Sequence, residues 1–459
     1  MNRPQTGVTA KRGHFYTAFW RWHFYAGLFV IPFLFILAVS GMLMLLSKPV
    51  ENVLYRDLLY VTPGQSALTA SQQQMRVQNA YPDSRIALYI PPGENVESAR
   101  FSLVPVSYGG GHSGHGIPSK TVYINPYSGE ILGELDPAKT LYARIKTLHG
   151  TLYMGNIGDA LIEIAAGLAV LMLLTGVYLA WPVDGWRSVL PVKRLKKRSD
   201  WRRFHGCVGL LVAVPLLFFL LSGLAWTNVW GGKLVQAWSS LSVTNYATSA
   251  SKSTPTHDSM NQHGQHQVPW VLEQVPMPES GSGSVNHRLT MDEVLHIASK
   301  QGLGGRYRVQ IPDEHTEVWT VSTTTMAGDT KTPSEERTIH LDRVTGEVLA
   351  DIRFAEYPTL GKAMAAFIPI HQGDLGGWNF AINLFFCVLI IVLIVSGFVL
   401  WLKRIPKTSH KLVAPATPKY ANRVVLLGML VVGLCFPLSA AVIAAATLLG
   451  WFLTVRAKA

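Results

Sequence analysis

The chain has 459 residues, of which 49% are hydrophobic and only 15% are charged. A soluble domain carries about 25% charged residues, so this composition excludes an ordinary soluble protein and indicates a lipid environment. The formal net charge of +12 does not indicate nucleic-acid binding, because the basic residues flank apolar runs and no nucleic-acid motif is present. The three cysteines predict neither a disulfide framework nor a thiolate metal site.

Five segments are long enough to cross a bilayer, which requires about 20 apolar residues. They are residues 24–46, 160–181, 208–226, 380–401 and 424–452. Pro437 lies in the middle of the fifth segment, and we expect one kinked span there rather than two short ones. The sequence therefore predicts a membrane all-α bundle of about five transmembrane helices.

Charge orients these spans. Lys and Arg dominate residues 1–21, 182–207 and 402–423, whereas residues 48–157 and 227–378 carry basic and acidic side chains in comparable numbers. The positive-inside rule places the N-terminus and both short basic loops in the cytoplasm and the two long segments outside. The first half of the chain is expected to contain the N-terminus with the first span (1–47), outer module 1 (48–157), the second span (158–182) and a basic loop (183–204). The second half is expected to contain the third span (205–230), outer module 2 (231–375), the fourth span (376–402), a second basic loop (403–423) and the fifth span (424–455).

The two outer segments each end in a similar pattern, at residues 122–132 and 339–349. Alternating apolar residues followed by Asn or Asp and then Ser/Thr-Gly predict two strands joined by a turn. A candidate helix precedes each pattern, at residues 69–80 and 290–301, and the second begins with a capping box. We therefore expect two small extracytoplasmic α+β modules, each with one helix on a small antiparallel sheet.

The spacing of histidines and glycines indicates an internal duplication. His23 and His205 are each followed by a glycine after four residues and by a Ser-Gly pair after seventeen. His149 and His371 are followed by a Thr-Gly or Ser-Gly pair after 26 and 25 residues. The sequence therefore predicts two copies of one helix–module–helix unit, arranged as a parallel repeat.

The four duplicated histidines are candidate haem ligands, because neutral imidazole binds haem iron and two imidazoles fill both axial positions. His23 and His205 lie at the cytoplasmic ends of the first and third spans, and His149 and His371 at the outer ends of the second and fourth. We predict two bis-histidine sites, one near each membrane face. The alternative for each histidine is an interfacial anchor, and the alternative for the Ser-Gly pairs is close helix packing.

Five other histidines lie in two Gly/Ser/His-rich stretches, residues 107–119 and 249–267. They are His112, His115, His257, His263 and His266. Histidines three residues apart with Met and Asp nearby can bind a transition metal. The composition favours the alternative, a solvated low-complexity loop.

The remaining polar candidates are interpreted as structural. Six histidines without a repeat partner are expected at the surface: His14, His287, His296, His315, His340 and His410. Glu163, in the first turns of the second span, is expected to cap a helix or accept hydrogen bonds rather than to relay protons.

The sequence resembles the PepSY-associated transmembrane-helix proteins, a family that includes bacterial iron-regulated membrane proteins and ferrisiderophore reductases. The resemblance covers roughly residues 14–404. It is carried by the motifs Arg21-Trp-His23, Leu148-His149-Gly150, Arg203-Phe-His205 and His371-Gln-Gly373 and by Ser/Thr-Gly-Glu at 128–130 and 345–347. The resemblance implies two haem b groups in a protein of the bacterial cytoplasmic membrane that moves electrons to a ferric chelate. The His-rich stretches fall outside the family pattern and leave the metal or chelate open.

The resulting hypothesis is a ferric-chelate reductase, such as a ferrisiderophore reductase, that takes electrons at the His23/His205 site and delivers them outside from the His149/His371 site. No Gly-rich nucleotide fingerprint is present, so we expect a separate cytoplasmic or quinol donor, and no catalytic acid, base or nucleophile. Two alternatives stay open. One is a non-redox PepSY protein that regulates an extracytoplasmic peptidase, and the other is a metal transporter with His-rich loops.

Overall fold

The computed structural model describes residues 7–106, 119–181, 195–236, 256–257, 269–280, 289–312, 318–404 and 419–456. The chain divides into two compact units. The helical unit comprises Met1–Met44, Lys146–Val235 and Ala381–Ala459, and the sheet unit comprises Leu45–Ile145 and Gln236–Phe380.

The described α-helices are numbered in chain order. They are α1 (Gly7–Leu54), α2 (Arg56–Leu59), α3 (Ala70–Ala80), α4 (Leu141–Thr151), α5 (Gly155–Ala180), α6 (Arg198–Leu224), α7 (Met291–Lys300), α8 (Thr359–Gln372), α9 (Gly377–Leu402), α10 (Lys419–Gly433) and α11 (Pro437–Arg456). A π-helical segment, Asn228–Gln236, follows α6.

Four helices are long and apolar enough to cross a membrane: Phe15–Leu54 within α1, and α5, α6 and α9. These helices contain, to within two residues, the first four predicted spans, whose helical structure and apolar length are thereby confirmed. The helices bury only part of their apolar surface against one another, and exposed residues such as Phe35 and Val214 cover the outside. Apolar side chains on the outside of a helical bundle are expected where the surrounding solvent is lipid.

The fifth apolar segment differs from the expectation of one kinked span. α10 ends at Gly433 and α11 begins at Pro437, and between them the amide of Phe436 donates to the carbonyl of Gly433 over 2.8 Å. Proline has no amide hydrogen and is favoured in the first turn of a helix, so Pro437 starts a new helix here. The apolar parts of the two helices, Asn422–Gly433 and Pro437–Leu449, are each shorter than the four long spans.

Two carboxylates on α5 cap the π-helical segment. Asp159 Oδ2 accepts from the amide of Asn228 over 3.1 Å. Glu163 Oε2 accepts from the amides of Val229 and Trp230 over 3.2 and 3.1 Å. Helix N-termini leave amide donors without intrahelical partners and favour negative charge. The capping role predicted for Glu163 is confirmed.

Eight strands form one antiparallel sheet in the order β4-β3-β2-β1-β5-β6-β7-β8. Their bounds are β1 Ser84–Ile90, β2 Ala99–Pro105, β3 Lys120–Ile124, β4 Ile131–Leu135, β5 Arg308–Gln310, β6 Trp319–Thr323, β7 Arg337–Leu341 and β8 Val348–Arg353. The expectation of two modules with a small sheet each is therefore corrected. The two four-strand meanders join where Leu88 pairs with Gln310 and Tyr89 with Val309, which removes the unpaired edges that β1 and β5 would otherwise present.

The two predicted helices of this unit are confirmed as α3 and α7. Each follows a threonine, Thr69 or Thr290, that forms a reciprocal capping box with the residue three positions later. The helices also contact each other, because the amide of Ser71 donates to Asp292 Oδ1 over 3.1 Å and the amide of Asp292 donates to Ser71 Oγ over 3.3 Å. The two halves therefore share a helical layer as well as a sheet.

The predicted strand–turn–strand patterns are confirmed as β3–β4 and β7–β8. In the first turn Asn125 Oδ1 accepts from the amide of Tyr127, and in the second Asp342 Oδ1 accepts from the amide of Val344. The glycines of the two patterns, Gly129 and Gly346, have φ of +72° and +71°. Only glycine adopts this left-handed conformation without strain, which explains the Ser/Thr-Gly signature.

Candidate functional site

A cavity of about 710 Å³ lies in the helical unit and is lined by residues of α1, α5, α6 and α9. Both His23 of α1 and His205 of α6 line it. Their ring centroids are 6.5 Å apart, with the ring planes at 81°. The structure therefore brings together the two histidines that the repeat predicts as one pair, in a cavity of the size typical of small-molecule sites.

His23 is held through its Nδ1 atom by two groups on α5. Nδ1 lies 3.0 Å from the backbone carbonyl of Met172 and 3.1 Å from the hydroxyl of Thr175. A carbonyl oxygen can only accept, so Nδ1 carries the proton. The hydroxyl of Thr175 donates its own hydrogen to the Met172 carbonyl, 2.9 Å away, and it accepts a hydrogen bond from Nδ1 of His23.

His205 and His149 repeat this arrangement on other helices. His205 Nδ1 lies 2.9 Å from the hydroxyl of Ser396 on α9, and that hydroxyl donates to Leu393 O over 2.7 Å. His149 Nδ1 lies 2.8 Å from the hydroxyl of Ser40 on α1, which donates to its own helix at Ile36 O over 2.6 Å. Each hydroxyl has one hydrogen, and its own helix takes it, so each serine accepts from the imidazole.

These hydrogen bonds fix the tautomer of all three rings. With the proton on Nδ1, a neutral imidazole has its free lone pair on Nε2. None of these three Nε2 atoms has a hydrogen-bond partner among the described residues. A metal-binding histidine characteristically donates its other ring nitrogen to a fixed acceptor in this way, so the three rings have the tautomer in which Nε2 could bind a metal ion.

The glycine after each hydroxyl residue makes room for the imidazole. A β-carbon at Gly176 would lie 3.0 Å from Cε1 of His23, and one at Gly397 would lie 3.2 Å from Cε1 of His205. At Gly41 the corresponding distance to Cε1 of His149 is 3.4 Å. The Ser/Thr-Gly pairs were open to interpretation as helix-packing residues. In the structure three of the four pairs, those that begin at Ser40, Thr175 and Ser396, seat histidines, a role that spacing alone did not reveal.

The separation of His23 and His205 suits one metal ion between them. A histidine nitrogen lies about 2.0 Å from a bound metal, so two rings on opposite sides of one ion have centroids roughly 6 Å apart. The 6.5 Å between the two ring centroids is close to that value. Gly27 and Gly209, one turn after the two histidines, also line the cavity.

The other predicted ligands are distributed as follows. His371 lies in the last turn of α8, before Gly373, which ends the helix in the left-handed conformation. His149 belongs to the helical unit and His371 to the sheet unit, and their pairing stays a prediction.

Four of the five histidines predicted as a loop metal site lie outside the described residues: His112, His115, His263 and His266. Within the described part of the chain, no group of three His, Cys, Asp or Glu side chains could hold a metal ion.

His257 is the one described histidine of the His-rich stretches, and it is fully buried against His340 of β7. Their Nε2 atoms are 2.9 Å apart. His257 Nδ1 donates to Val275 O over 2.6 Å, so His340 Nε2 donates to His257 Nε2, and His340 Nδ1 accepts from the hydroxyl of Thr320 over 2.9 Å. Burial lowers the pKa of His257 to about 4 and that of His340 well below its usual value.

The surface position expected for His340 is therefore wrong, whereas His296 is exposed as expected. His340 lies in β7 between Ile339 and Leu341, which are also buried, and the partner that accommodates it comes from a stretch far away in sequence. The remaining histidines expected at the surface, His14, His287, His315 and His410, have no described side chain.

Four long apolar helices and an eight-stranded antiparallel sheet define the class, a multi-pass membrane protein with a β region. The sequence matches the family described as the PepSY-associated TM region over residues 20–404. The chain belongs to this family. No curated protein matches it.

Proposed function

We propose that the chain is a di-haem b-type electron-transfer protein of the bacterial cytoplasmic membrane that reduces ferric iron, held as a siderophore or similar chelate, on the periplasmic side. Its electrons come from a cytoplasmic or quinol donor. The observation that carries the proposal is the pair His23 and His205, with both Nδ1 atoms engaged and their rings 6.5 Å apart in one cavity.

The residues present fit a haem. His23 and His205 supply two Nε2 ligands from opposite helices, and apolar residues of α1, α5, α6 and α9 supply the walls. Thr175 and Ser396 hold the imidazoles in the tautomer that can bind iron. Surrounding apolar side chains exclude water from such a site, which controls its reduction potential. A bound haem supplies one-electron redox chemistry, which none of the protein side chains of the site provides.

The second site rests on the sequence repeat. Nδ1 of His149 is hydrogen-bonded to the hydroxyl of Ser40, in the same way as Nδ1 of His23 is hydrogen-bonded to that of Thr175. The repeat pairs His149 with His371. One haem in each half of the membrane would give a continuous redox path. Ferric reduction outside would release iron, since Fe(II) binds hard oxygen ligands less tightly than Fe(III).

Absorption spectroscopy tests this function. The full-length protein is expressed with adequate haem supply, purified, and compared before and after dithionite. We expect a Soret band that shifts on reduction. His23→Ala and His149→Ala should each remove about half of that band, and His296→Ala, a substitution of an exposed histidine, should remove none.

A colourless protein would overturn the proposal and favour a non-redox regulator or a transporter. Loss of the whole band, or of none of it, in both His23→Ala and His149→Ala would overturn the two-site assignment. A dithionite-reduced protein should be reoxidised by ferric siderophores faster than by air-free buffer. Retention of full reduction in the presence of a panel of ferric chelates would overturn the assignment as a ferric reductase.

A further inference from the structure

The cavity that holds His23 and His205 has a strongly basic end. Among the described residues, its lining includes no Asp or Glu. It includes four arginines, Arg198, Arg202, Arg203 and Arg404. The first three lie in the first two turns of α6, and the fourth follows α9. The basic end therefore coincides with the ends of two membrane-spanning helices.

Arg404 is held in position by aromatic side chains of α1. Its guanidinium carbon lies 4.8 Å from the ring centroid of Trp20 and 4.7 Å from that of Phe24. The two rings are themselves stacked, with centroids 5.6 Å apart. A guanidinium over aromatic faces keeps its charge while it loses water and conformational freedom, so Arg404 is preorganised at the edge of the cavity.

The positive charges at this end oppose one another. Burial and the positive charge of Arg198 both lower the pKa of Arg404. Arg198 and Arg202 form no ion pair with any described residue. The nearest acid on the same helix, Asp200, accepts from the amide of Lys197 over 2.8 Å as part of the helix cap and does not line the cavity. An anionic group from a ligand would relieve this repulsion.

The ligand that suits this cavity has an apolar body and an acidic edge. The body would lie among the apolar side chains and glycines near the histidines, and the acidic edge would lie at the arginines. Guanidinium groups bind carboxylates with two parallel hydrogen bonds. We propose that Arg198, Arg202 and Arg404 bind the porphyrin carboxylates of the group ligated by His23 and His205. These contacts would determine the orientation of the porphyrin in the cavity. This inference rests on the proposed function.

Two porphyrins that differ only in charge test the proposal. Full-length protein prepared without haem is titrated with haemin and with haemin dimethyl ester, and each dissociation constant is read from the Soret shift. The variants are Arg198→Gln and Arg404→Gln, with Arg404→Lys as the conservative variant. Lys403→Gln is the matched control, since Lys403 is exposed, carries the same charge and lies outside the cavity lining.

We expect each Gln variant to weaken haemin binding by roughly tenfold, the size of one charge-assisted hydrogen-bonded pair, and to leave binding of the dimethyl ester within about twofold. Arg404→Lys should recover part of the loss for haemin, and Lys403→Gln should change neither constant. The ratio between the two porphyrins isolates the carboxylate interaction from any general effect on folding, as in a double-mutant cycle.

Equal weakening of both porphyrins, or no weakening of haemin, would overturn the arginine assignment while the haem site stands. Failure of the unaltered protein to bind either porphyrin would overturn the proposed function and this inference with it. Weakening by Lys403→Gln equal to that by Arg404→Gln would show that only the net charge of this face matters and would also overturn the assignment.

Discussion

The imidazole rings of His23 and His205 lie with their centroids 6.5 Å apart, and each ring is fixed through Nδ1 by a hydroxyl of a different helix. Four helices thus contribute to one site: two carry the histidines that we propose as ligands, and two carry the hydroxyl groups that orient them. A residue that is far from both histidines in sequence can therefore be essential to this site.

Gly176→Ala should displace His23. The added β-carbon would lie 3.0 Å from Cε1 of the ring, closer than ordinary van der Waals contact, while the hydrogen bonds of Nδ1 to Met172 and Thr175 hold the ring against the same helix. We expect loss of about half of the Soret band with the protein still folded. Gly428→Ala is the control, because nothing lies within 4 Å of its β-carbon and alanine favours a helix. An unchanged spectrum in Gly176→Ala would contradict the seating role of this glycine.

Ser396→Ala should weaken haem binding without removing a ligand. His205 would lose the hydroxyl 2.9 Å from Nδ1, and loss of such an outer partner costs about 10- to 100-fold in metal affinity. The measurement is haem titration of the full-length variant. Thr447→Ala removes a hydroxyl that donates within its own helix to Ile443 but serves no histidine. Equal affinities of the two variants would show that Ser396 has no orienting role.

Glu336 should make the sheet unit less stable at neutral pH than in mild acid. Burial raises the pKa of this carboxyl from 4.5 to about 7, although Thr325 donates to it. The folded state therefore favours the protonated form, and its contribution is complete below pH 4.5 and is lost as the pH rises through about 7. The cost of ionisation is on the order of 3 kcal/mol.

Glu336→Gln should remove this pH dependence and slow hydrogen exchange of β6 and β7 at pH 8, as measured by mass spectrometry. Glu335→Gln is the control, because Glu335 is its exposed neighbour. If β6 and β7 exchange at the same corrected rate in Glu336→Gln and the unaltered protein from pH 5 to 8, the assigned titration is wrong.

The pair His257 and His340 should respond to pH in the opposite direction. Burial lowers the pKa of His257 to about 4, so the neutral pair stabilises the fold above pH 6.5, and the stabilisation is lost as the pH falls toward 4. Histidine NMR signals of the full-length protein in nanodiscs should show two rings that stay neutral at pH 5.5. Protonation of either of these two rings at pH 5.5 would contradict burial of the pair.

The amino-acid sequence by itself determined the elements. Apolar length specified the four long spans, the capping threonines Thr69 and Thr290 specified where two helices begin, and Gly129 and Gly346 specified the two turns. These are local properties, because helix caps, turns and apolar runs depend on residues a few positions apart. The duplicated spacing also selected His23 and His205 as a pair, since a repeat carries spatial information that a single motif does not.

Tertiary structure alone decided how those elements meet. Pairing of Leu88 with Gln310 merges the two predicted modules into one sheet, and burial of His340 depends on His257, 83 positions earlier in the chain. The Ser/Thr-Gly pairs were visible in the sequence, but their partners were not. His23 meets Thr175 across 152 positions, and no local pattern encodes which helix will pack against which. Contacts between distant segments come from packing of whole surfaces, which the sequence specifies only through the folded chain.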